Sequence, residues 1–291
     1  MIEVLSTGPL ALFQDRGRFG YASLGVGSSG SFDRLSAARA NHAVGNSPHA
    51  PVIEVVFGGF SFRTFERADI IVTGIDAPIT VHSSTGVKKL YTNTIIHLTS
   101  GNQVHIGAAE YGLRAYVAIR GGFAPPHTLG SASTDVLAHI GPDPIQAGDV
   151  IATTREFIQE DPWWPLLNSI PPLWRRMPTE TLRVMPGPRR DWFDDRAWEL
   201  LLSQEYTVSA TSNRIGLRLE ASAPLERRIV QELPSEGMVR GAIQVPPNGM
   251  PVVFGPDHPV TGGYPVIAVL TERSCDRSAQ LPPGAKVRFK L

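Results

Sequence analysis

Residues 25–30 read GVGSSG, and residues 31–45 continue as SFDRLSAARANHAVG. The first six fit G-x-G-x-x-G, which in dinucleotide-binding folds joins a buried strand to a helix and aims backbone N–H groups at a pyrophosphate. An acidic residue, Glu54 in VIEVVF, follows near the spacing of about 20 residues that suits a ribose hydroxyl. What the pattern lacks is the strand. The preceding QDRGRFGYASL (14–24) holds two glycines and three charges but no β-branched residue. GVGSSG is therefore read as a Gly/Ser turn that admits positive φ and leads into a helix over 32–44, closed by Gly45. A doubly wound nucleotide fold loses its main support, and a mainly β chain becomes the expectation.

Outward from that turn, 28 glycines and 25 prolines cut the chain into short apolar segments, the texture of many strands and turns. Strands are expected at VIEVVF (52–57), DIIVTGI (69–75), RAYVAIRG (114–121), TLRVMPG (181–187), YTVSA (206–210), MPVVFG (250–255), YPVIAVLT (264–271) and KVRFKL (286–291). In RAYVAIR, Ala115, Val117 and Ile119 alternate with Tyr116, Ala118 and Arg120, so one face is expected in the core and the other in a groove. DWFDDRAWELLLS (191–203) places Trp192, Phe193, Ala197 and Leu200 to Leu202 at helical spacing, which predicts a second helix. Between the halves, EFIQEDPWWPLLNSIPPLWRRMPTE holds five prolines, incompatible with a continuous helix or a central strand. The expected organisation is an N-terminal β-rich domain (1–155), a Pro/Trp-rich linker (156–178) and a C-terminal β-rich domain (179–291). Trp163, Trp164 and Trp174 are expected to pack against a domain. LTSGNQV (98–104), IQAGDVI (145–151) and LPPGAKV (281–287) echo one another as glycine turns feeding strands, consistent with two related halves.

At 291 residues the chain exceeds the ordinary size of one core, and two domains are the natural division. Its 27 basic and 27 acidic residues cancel, which removes the electrostatic basis for a nucleic-acid partner or an anionic membrane surface. No apolar run reaches the ~18 residues needed to span a bilayer, and the first residues lack the basic start and long apolar middle of an export signal. A soluble, cytoplasmic protein is expected. The single cysteine, Cys275, rules out an intrachain disulfide and fits a reducing compartment.

The 8 histidines form neither H-x-H nor H-E-x-x-H, so no metal site is expected. No G-x-S-x-G elbow occurs, and GSAST (130–134) is read as a serine-rich turn. What remains is a set of polar side chains in glycine-rich turns: QDRGRFGY (14–21), SGSFD (29–33), RAN (39–41), IEVVFGG (53–59), SNRIGLRLE (212–220), GAIQVPPNG (241–249) and TGGYP (261–265). Glycine lets a ligand approach the backbone, and Arg offers a planar fork to a carboxylate or phosphate. The same turns admit another reading, in which Asp15, Arg18, Asp33 and Arg214 form salt bridges that tie loops together.

Taken in order, GPLALFQDRGRFGY, SGSFDRLSAARANHAVGN, YVAIRGGF, GSASTD with GPDPIQAGD, SNRIGLRLE, GAIQVPPNGMPVVF, DHPVTGGYP and AQLPPGAKVRF cover nearly the whole chain. This string resembles the carboxyltransferase-type proteins grouped with allophanate hydrolase subunit 2, which include the C subunit of bacterial 5-oxoprolinase and the KipA antagonist of a sporulation-kinase inhibitor. The resemblance implies a mainly β fold of two cyclophilin-like β-barrel domains with few short helices. It also implies a non-autonomous component whose partners are the KipI-like B subunit and the A subunit of 5-oxoprolinase, a complex that uses ATP to open 5-oxoproline to glutamate. Two other family roles stand beside it: a KipA-like regulatory binding protein, and the carboxyltransferase component of a biotin-dependent urea or amide carboxylase, with biotin carried on another polypeptide. Both enzymatic roles act on a small amide, so the site must polarise an amide and stabilise a developing oxyanion.

On the positions that match its motifs, the resemblance implies that Gln14 and Gln244 hydrogen-bond the amide and that Arg18 and Arg214 orient a carboxylate or phosphate. Asp15, Asp33 or Glu54 then orient those groups or handle a proton. Thr261, Gly262 and Gly263 form a backbone wall with the Tyr264 phenol at its edge, and Asn41 either meets the substrate or anchors the first helix. Arg214→Ala is accordingly expected to lower turnover with little loss of stability. One segment departs from the family pattern: TERSCDRSAQ (271–280) is more polar than usual, which implies either a more polar packing helix or an altered partner contact.

Overall fold

A computed structural model describes residues 1–154 and 169–291, so the part of the expected linker over 156–168, with Trp163 and Trp164, lies outside the described residues. The chain groups into two compact units. The first comprises Met1–Arg18, Asp33–Thr134 and His139–Arg175, and the second Phe19–Phe32, Asp135–Ala138 and Arg176–Leu291.

The first unit carries β1 (Ile2–Thr7), β2 (Ala11–Gln14), helix α1 (Arg34–Ala43), β3 (Val52–Val56), β4 (Phe60–Thr64), β5 (Ala68–Thr73), β6 (Pro78–Ser83), β7 (Gly86–Tyr91), β8 (Ile96–Leu98), β9 (Gln103–Ile106), β10 (Arg114–Ile119) and β11 (Val150–Ile151). They form two antiparallel sheets, ordered β11-β1-β4-β9-β6-β7 and β2-β3-β10-β5-β8. Alternate residues such as Val4, Phe60, Phe62, Val104, Ile53, Val72 and Val117 from both sheets share one apolar core.

The alternation expected for β10 is corrected here, because every position from Arg114 to Ile119 is buried. Ala115, Val117 and Ile119 enter the core between the sheets, while Tyr116 and Ala118 meet Ala37, Ala40 and Ala43 of α1 on the other face. A central strand covered on both sides has no groove face, and the small α1 side chains let the helix lie close to the sheet. Asp33 starts α1 by accepting the Ser36 N–H at 2.9 Å. No strand runs into GVGSSG: β2 ends at Gln14, residues 25–30 belong to the second unit, and α1 belongs to the first. The strand–turn–helix geometry of a pyrophosphate loop is therefore absent from these residues.

The second unit carries β12 (Glu180–Pro186), α2 (Asp195–Ser203), β13 (Tyr206–Val208), β14 (Gly216–Glu220), β15 (Glu236–Gly237), β16 (Ala242–Gln244), β17 (Val252–Phe254), β18 (Thr261–Gly262), β19 (Val266–Leu270), α3 (Glu272–Ser278) and β20 (Lys286–Lys290). Seven strands close a barrel in the order β12-β19-β16-β17-β14-β13-β20, and β15 pairs with β18 beside it. Leu182, Leu217, Ile243, Val253, Ile267 and Phe289 fill the barrel, with Leu201 of α2 in the same core. Asp194, rather than Asp191, begins α2, accepting the Ala197 N–H at 2.8 Å.

The polar 271–280 segment forms α3, with Ser274, Asp276, Arg277 and Ser278 buried. Arg277 pairs with Glu180 and Asp276 with Arg240, so the added polarity is spent on internal ion pairs. Gly101, Gly148 and Gly284, the pivots of the three echoed turns, have φ of 82°, 94° and 84° and lead into β9, β11 and β20. No helix among the described residues is long and apolar enough to cross a membrane.

Candidate functional site

In the first unit, Gln14, Asp15 and Arg18 gather around the GSAST turn. Asp15 Oδ1 accepts from Ser131 Oγ at 2.7 Å, Ser133 Oγ at 2.6 Å and the Gly17 N–H at 2.7 Å, while Oδ2 accepts the Ala132 N–H at 2.7 Å. The Arg18 guanidinium donates to the Ser133 carbonyl. A Cβ at Gly141 would lie 2.1 Å from that same carbonyl oxygen, which fixes glycine there. The serine-rich turn is thus a clamp closed on one carboxylate. Gln14, wholly buried, donates from Nε2 to the Thr134 carbonyl at 2.8 Å. Its Oε1 is buried with no hydrogen-bond partner among the described residues. An amide oxygen left in that condition is an acceptor awaiting an N–H or O–H donor.

A second buried network holds Asp33 and Glu54. The Tyr116 hydroxyl accepts the Asp33 N–H at 2.7 Å and donates to Glu54 Oε2 at 2.9 Å. Asp33 Oδ2 accepts from Ser36 Oγ and from Trp174 Nε1, each at 2.6 Å. Burial, then the Glu54 and Asp33 charges, push the Tyr116 phenol well above its ordinary value, so it stays protonated as a donor. Trp174 is packed, as expected, and its indole N–H is bound to the helix-capping carboxylate. Asn41 joins neither network: it donates to the Ala50 carbonyl at 2.8 Å and accepts from Asn46, which anchors the chain after α1.

The first unit also has two cavities that the sequence reading missed, of about 620 and 260 Å³. Ser47, His49, Gly121, Gly122, Phe123 and His127 line the larger, and Arg67, Asp69 and Arg120 the smaller. None of the sequence-predicted site residues lines either one. The available signal was the GGF that closes YVAIRGGF.

In the second unit, Arg214 and Asp257 form a buried bidentate pair, 2 % and 0 % exposed, with Nε–Oδ2 at 2.8 Å and Nη2–Oδ1 at 2.9 Å. The pair holds two loops: Arg214 donates to the Gly30 carbonyl, and Asp257 accepts from Ser29 Oγ and the Val136 N–H. This is the loop-tying arrangement, and it revises the stability expectation for Arg214→Ala, since truncation leaves a buried carboxylate without its cation.

Gln244 and residues 261–264 do come together. Gln244 Nε2 donates to the Tyr264 carbonyl at 3.1 Å, and a Cβ on Gly262 would fall 2.7 Å from that nitrogen. Tyr264 is 43 % exposed, and the Arg227 guanidinium lies 5.4 Å from its ring centroid. Burial lowers the Arg227 pKa, and its Nε has no partner among the described residues. Thr261 and Gly262 pair with β15, whose Glu236 is gripped by Arg189. Arg227 was missed in the sequence, where ERR (226–228) reads as an ordinary charged turn. The arrangement presents a phenol, a guanidinium and a backbone wall on one lip of the barrel.

Known proteins share this scaffold. The 5-oxoprolinase C subunit of Haemophilus influenzae is 29 % identical over 293 residues, spanning 100 % of this chain and 91 % of that protein. The crystal structure of TTHA0988 superposes with a TM-score of 0.86 at 28 % identity, covering all of this chain and 56 % of the other, so this chain spans about half of that solved protein. The Kluyveromyces lactis urea amidolyase structure gives a TM-score of 0.87 at 26 % identity, over 99 % of this chain and 18 % of that one. Residues 24–291 match the family described as carboxyltransferase domain, subdomain A and B; the chain belongs to that carboxyltransferase family.

Proposed function

We propose that the chain is the C-subunit component of an ATP-dependent 5-oxoprolinase, opening 5-oxoproline to glutamate together with a KipI-like B subunit and an A subunit. The full-length likeness to a protein named as the C subunit of 5-oxoprolinase supports the assignment. The observation that carries the chemistry is the buried Gln14 carbonyl oxygen with no protein donor among the described residues. It suits the N–H of a small lactam, and holding that N–H fixes the amide plane for attack on its carbonyl. In the same reading ATP enters with the partner subunits.

The test is to purify the chain with its B and A partners and measure ATP-dependent glutamate release. Activity only in the mixture supports the proposal. Gln14→Met keeps the volume and removes the acceptor, and should lower turnover at least roughly tenfold in the complex. A tight complex that releases no glutamate under any condition refutes it and points to a regulatory binding protein. The urea amidolyase likeness supports a second reading, carboxyl transfer to an amide nitrogen with biotin supplied on another polypeptide. Gln14 would then hold the accepting nitrogen, and carboxylation of urea by a biotin-loaded partner would distinguish that case.

A further inference from the structure

The smaller cavity of the first unit, about 260 Å³, carries charged groups that neither the motif assignments nor the proposed reaction uses. Its lining includes Glu66, Arg67, Asp69, Arg120, Thr153 and Thr154. The sheet register explains why they meet. Asp69 lies on β5 opposite His97 of β8, and on its other side the Arg120 N–H donates to the Asp69 carbonyl at 2.8 Å, one residue past the Ile119–Ile70 pair of β10 and β5. Cross-strand neighbours share a face, so His97, Asp69 and Arg120 form one row across three strands. Arg67 stands two residues before Asp69, at the entry to β5, and so belongs to that same face. It is the face on which α1 packs, since Ile71 of β5 and Ala118 of β10 share a cluster with Ala37, Ala40 and Ala43. Arg120 Nη1 donates to the Val44 carbonyl at the end of that helix, at 3.2 Å. The charged row begins where the helix stops.

Two of these groups have bonding capacity to spare. Arg67 has no hydrogen-bond or ion-pair partner among the described residues. Asp69, with its side chain 16 % exposed, accepts from His97 Nδ1 on Oδ1 at 2.6 Å, while Oδ2 accepts from no described residue. Glu66 accepts from the Met1 ammonium and Thr153 Oγ, and Thr154 Oγ donates to the Gly121 carbonyl. Two residues of extended chain separate Arg67 and Asp69 by about 6–7 Å, so a guanidinium and a carboxylate bracket one small volume. A cavity just under the ~300–1,000 Å³ of drug-sized ligand sites suits a ligand of few atoms. An anion alone would meet Arg67 but add to the Asp69 charge, and a cation alone would meet Asp69 but face two guanidinium groups. A molecule that carries both charges on one carbon answers each.

We propose that this cavity binds a small zwitterionic α-amino acid. Its carboxylate takes the planar fork of Arg67, and its ammonium donates to Asp69 Oδ2, with His97 holding the Asp69 carboxylate in orientation. The site lies wholly in the first unit, and its binding does not depend on the amide-handling role of Gln14.

The test is isothermal titration calorimetry of the full chain at constant pH and ionic strength, with L-alanine and L-glutamate as probes in separate arms. Propionate and ethylamine, which are alanine without its ammonium or its carboxylate, and glutarate, which is glutamate without its ammonium, serve as controls. The expected result is saturable binding of at least one amino acid, at least about tenfold tighter than its singly modified controls. The arm that saturates identifies the preferred side chain. Arg67→Gln and Asp69→Asn should each weaken that binding at least about tenfold, and in Asp69→Asn the preference over the ammonium-free control should vanish. The same titration followed by NMR should shift the His97 ring signal, assigned with His97→Gln. Should Asp69→Asn fail to fold, the wild-type and Arg67→Gln titrations decide the matter by themselves. Absence of saturable binding of either amino acid, equal binding of a control that lacks one charge, an unmoved His97 signal, or an affinity indifferent to Arg67→Gln overturns the proposal.

Discussion

Replacing Arg214 by alanine isolates the energetics of the loop clasp. The substitution removes both bonds to Asp257, at 2.8 and 2.9 Å, and the bond to the Gly30 carbonyl at 2.7 Å. Asp257 keeps Ser29 Oγ and the Val136 N–H, but it stays buried without its counter-charge. Breaking one side of such a pair costs about 3–5 kcal/mol. For a unit of roughly 130 residues, each kcal/mol lowers Tm by about 3–4 °C, so the shift should be about 9–20 °C. Calorimetry of the wild type and Arg214→Ala reads this directly. Arg214→Met with Asp257→Leu removes both charges at once and should cost less than the single truncation, giving a coupling of at least about 1.5 kcal/mol. A Tm loss below about 3 °C for Arg214→Ala, together with lost turnover, would refute the clasp and return this arginine to a ligand-facing role.

The other perturbations are simpler. Gly58→Ala places a Cβ 2.1 Å from the Gly107 carbonyl oxygen at a φ of +84°, so denaturant melts should show the first unit weakened by at least about 2 kcal/mol. Trp174→Phe keeps the aromatic packing but removes the 2.6 Å indole bond to Asp33, and should cost about 1.5–3 kcal/mol in urea titrations; no change would mean that solvent replaces the bond. His258 has a folded pKa below 6.5, with burial as the leading cause. Its contribution to stability is therefore present above pH 6.5 and is lost as pH falls through the folded value. His258→Gln should flatten the acid-side stability slope, read by urea melts between about pH 7 and 5; an unchanged slope would contradict the burial argument.

The strands legible in the sequence were those with apolar runs, and β3, β5, β10, β12, β13, β17, β19 and β20 all overlap expected segments. Others were hidden by composition. β7 is GVKKLY, exposed along nearly its whole length and held by pairing with β6, so it shows no apolar period to detect. β10 misled in the opposite direction, because alternation of large and small residues served two cores rather than a core and a groove. For α3, the polar segment left a packing helix and an altered partner contact as alternatives; its four polar residues are buried, and the charged pair Asp276 and Arg277 is balanced by partners at Arg240 and Glu180, far away in the chain. A period in one strand of sequence cannot reveal a counter-charge on another.

The same limit explains why motif residues and ligand-facing atoms diverge. Asp15, Asp33, Asn41 and Arg214 are taken up by the scaffold, each bonded to backbone or side-chain groups that tie turns, a helix start or distant loops together. Glycine-rich turns need such ties because their backbone polar groups lack regular ladder partners and the chain there loses the most freedom on folding. A string of motifs therefore identifies the scaffold. Polar atoms that the scaffold buries without giving them a partner among the described residues, such as Gln14 Oε1, Arg227 Nε and Arg240 Nε, are the ones a ligand could satisfy. Burying each without a protein partner costs about 1–3 kcal/mol, and a ligand that supplies the missing partner recovers that penalty only when it binds. Specificity follows, since a ligand of similar size but without the matching donor or acceptor leaves the penalty in place. If Gln14 holds the lactam N–H as proposed, comparing 5-oxoproline with its lactone analogue in the assembled complex should expose a discrimination that Gln14→Met abolishes.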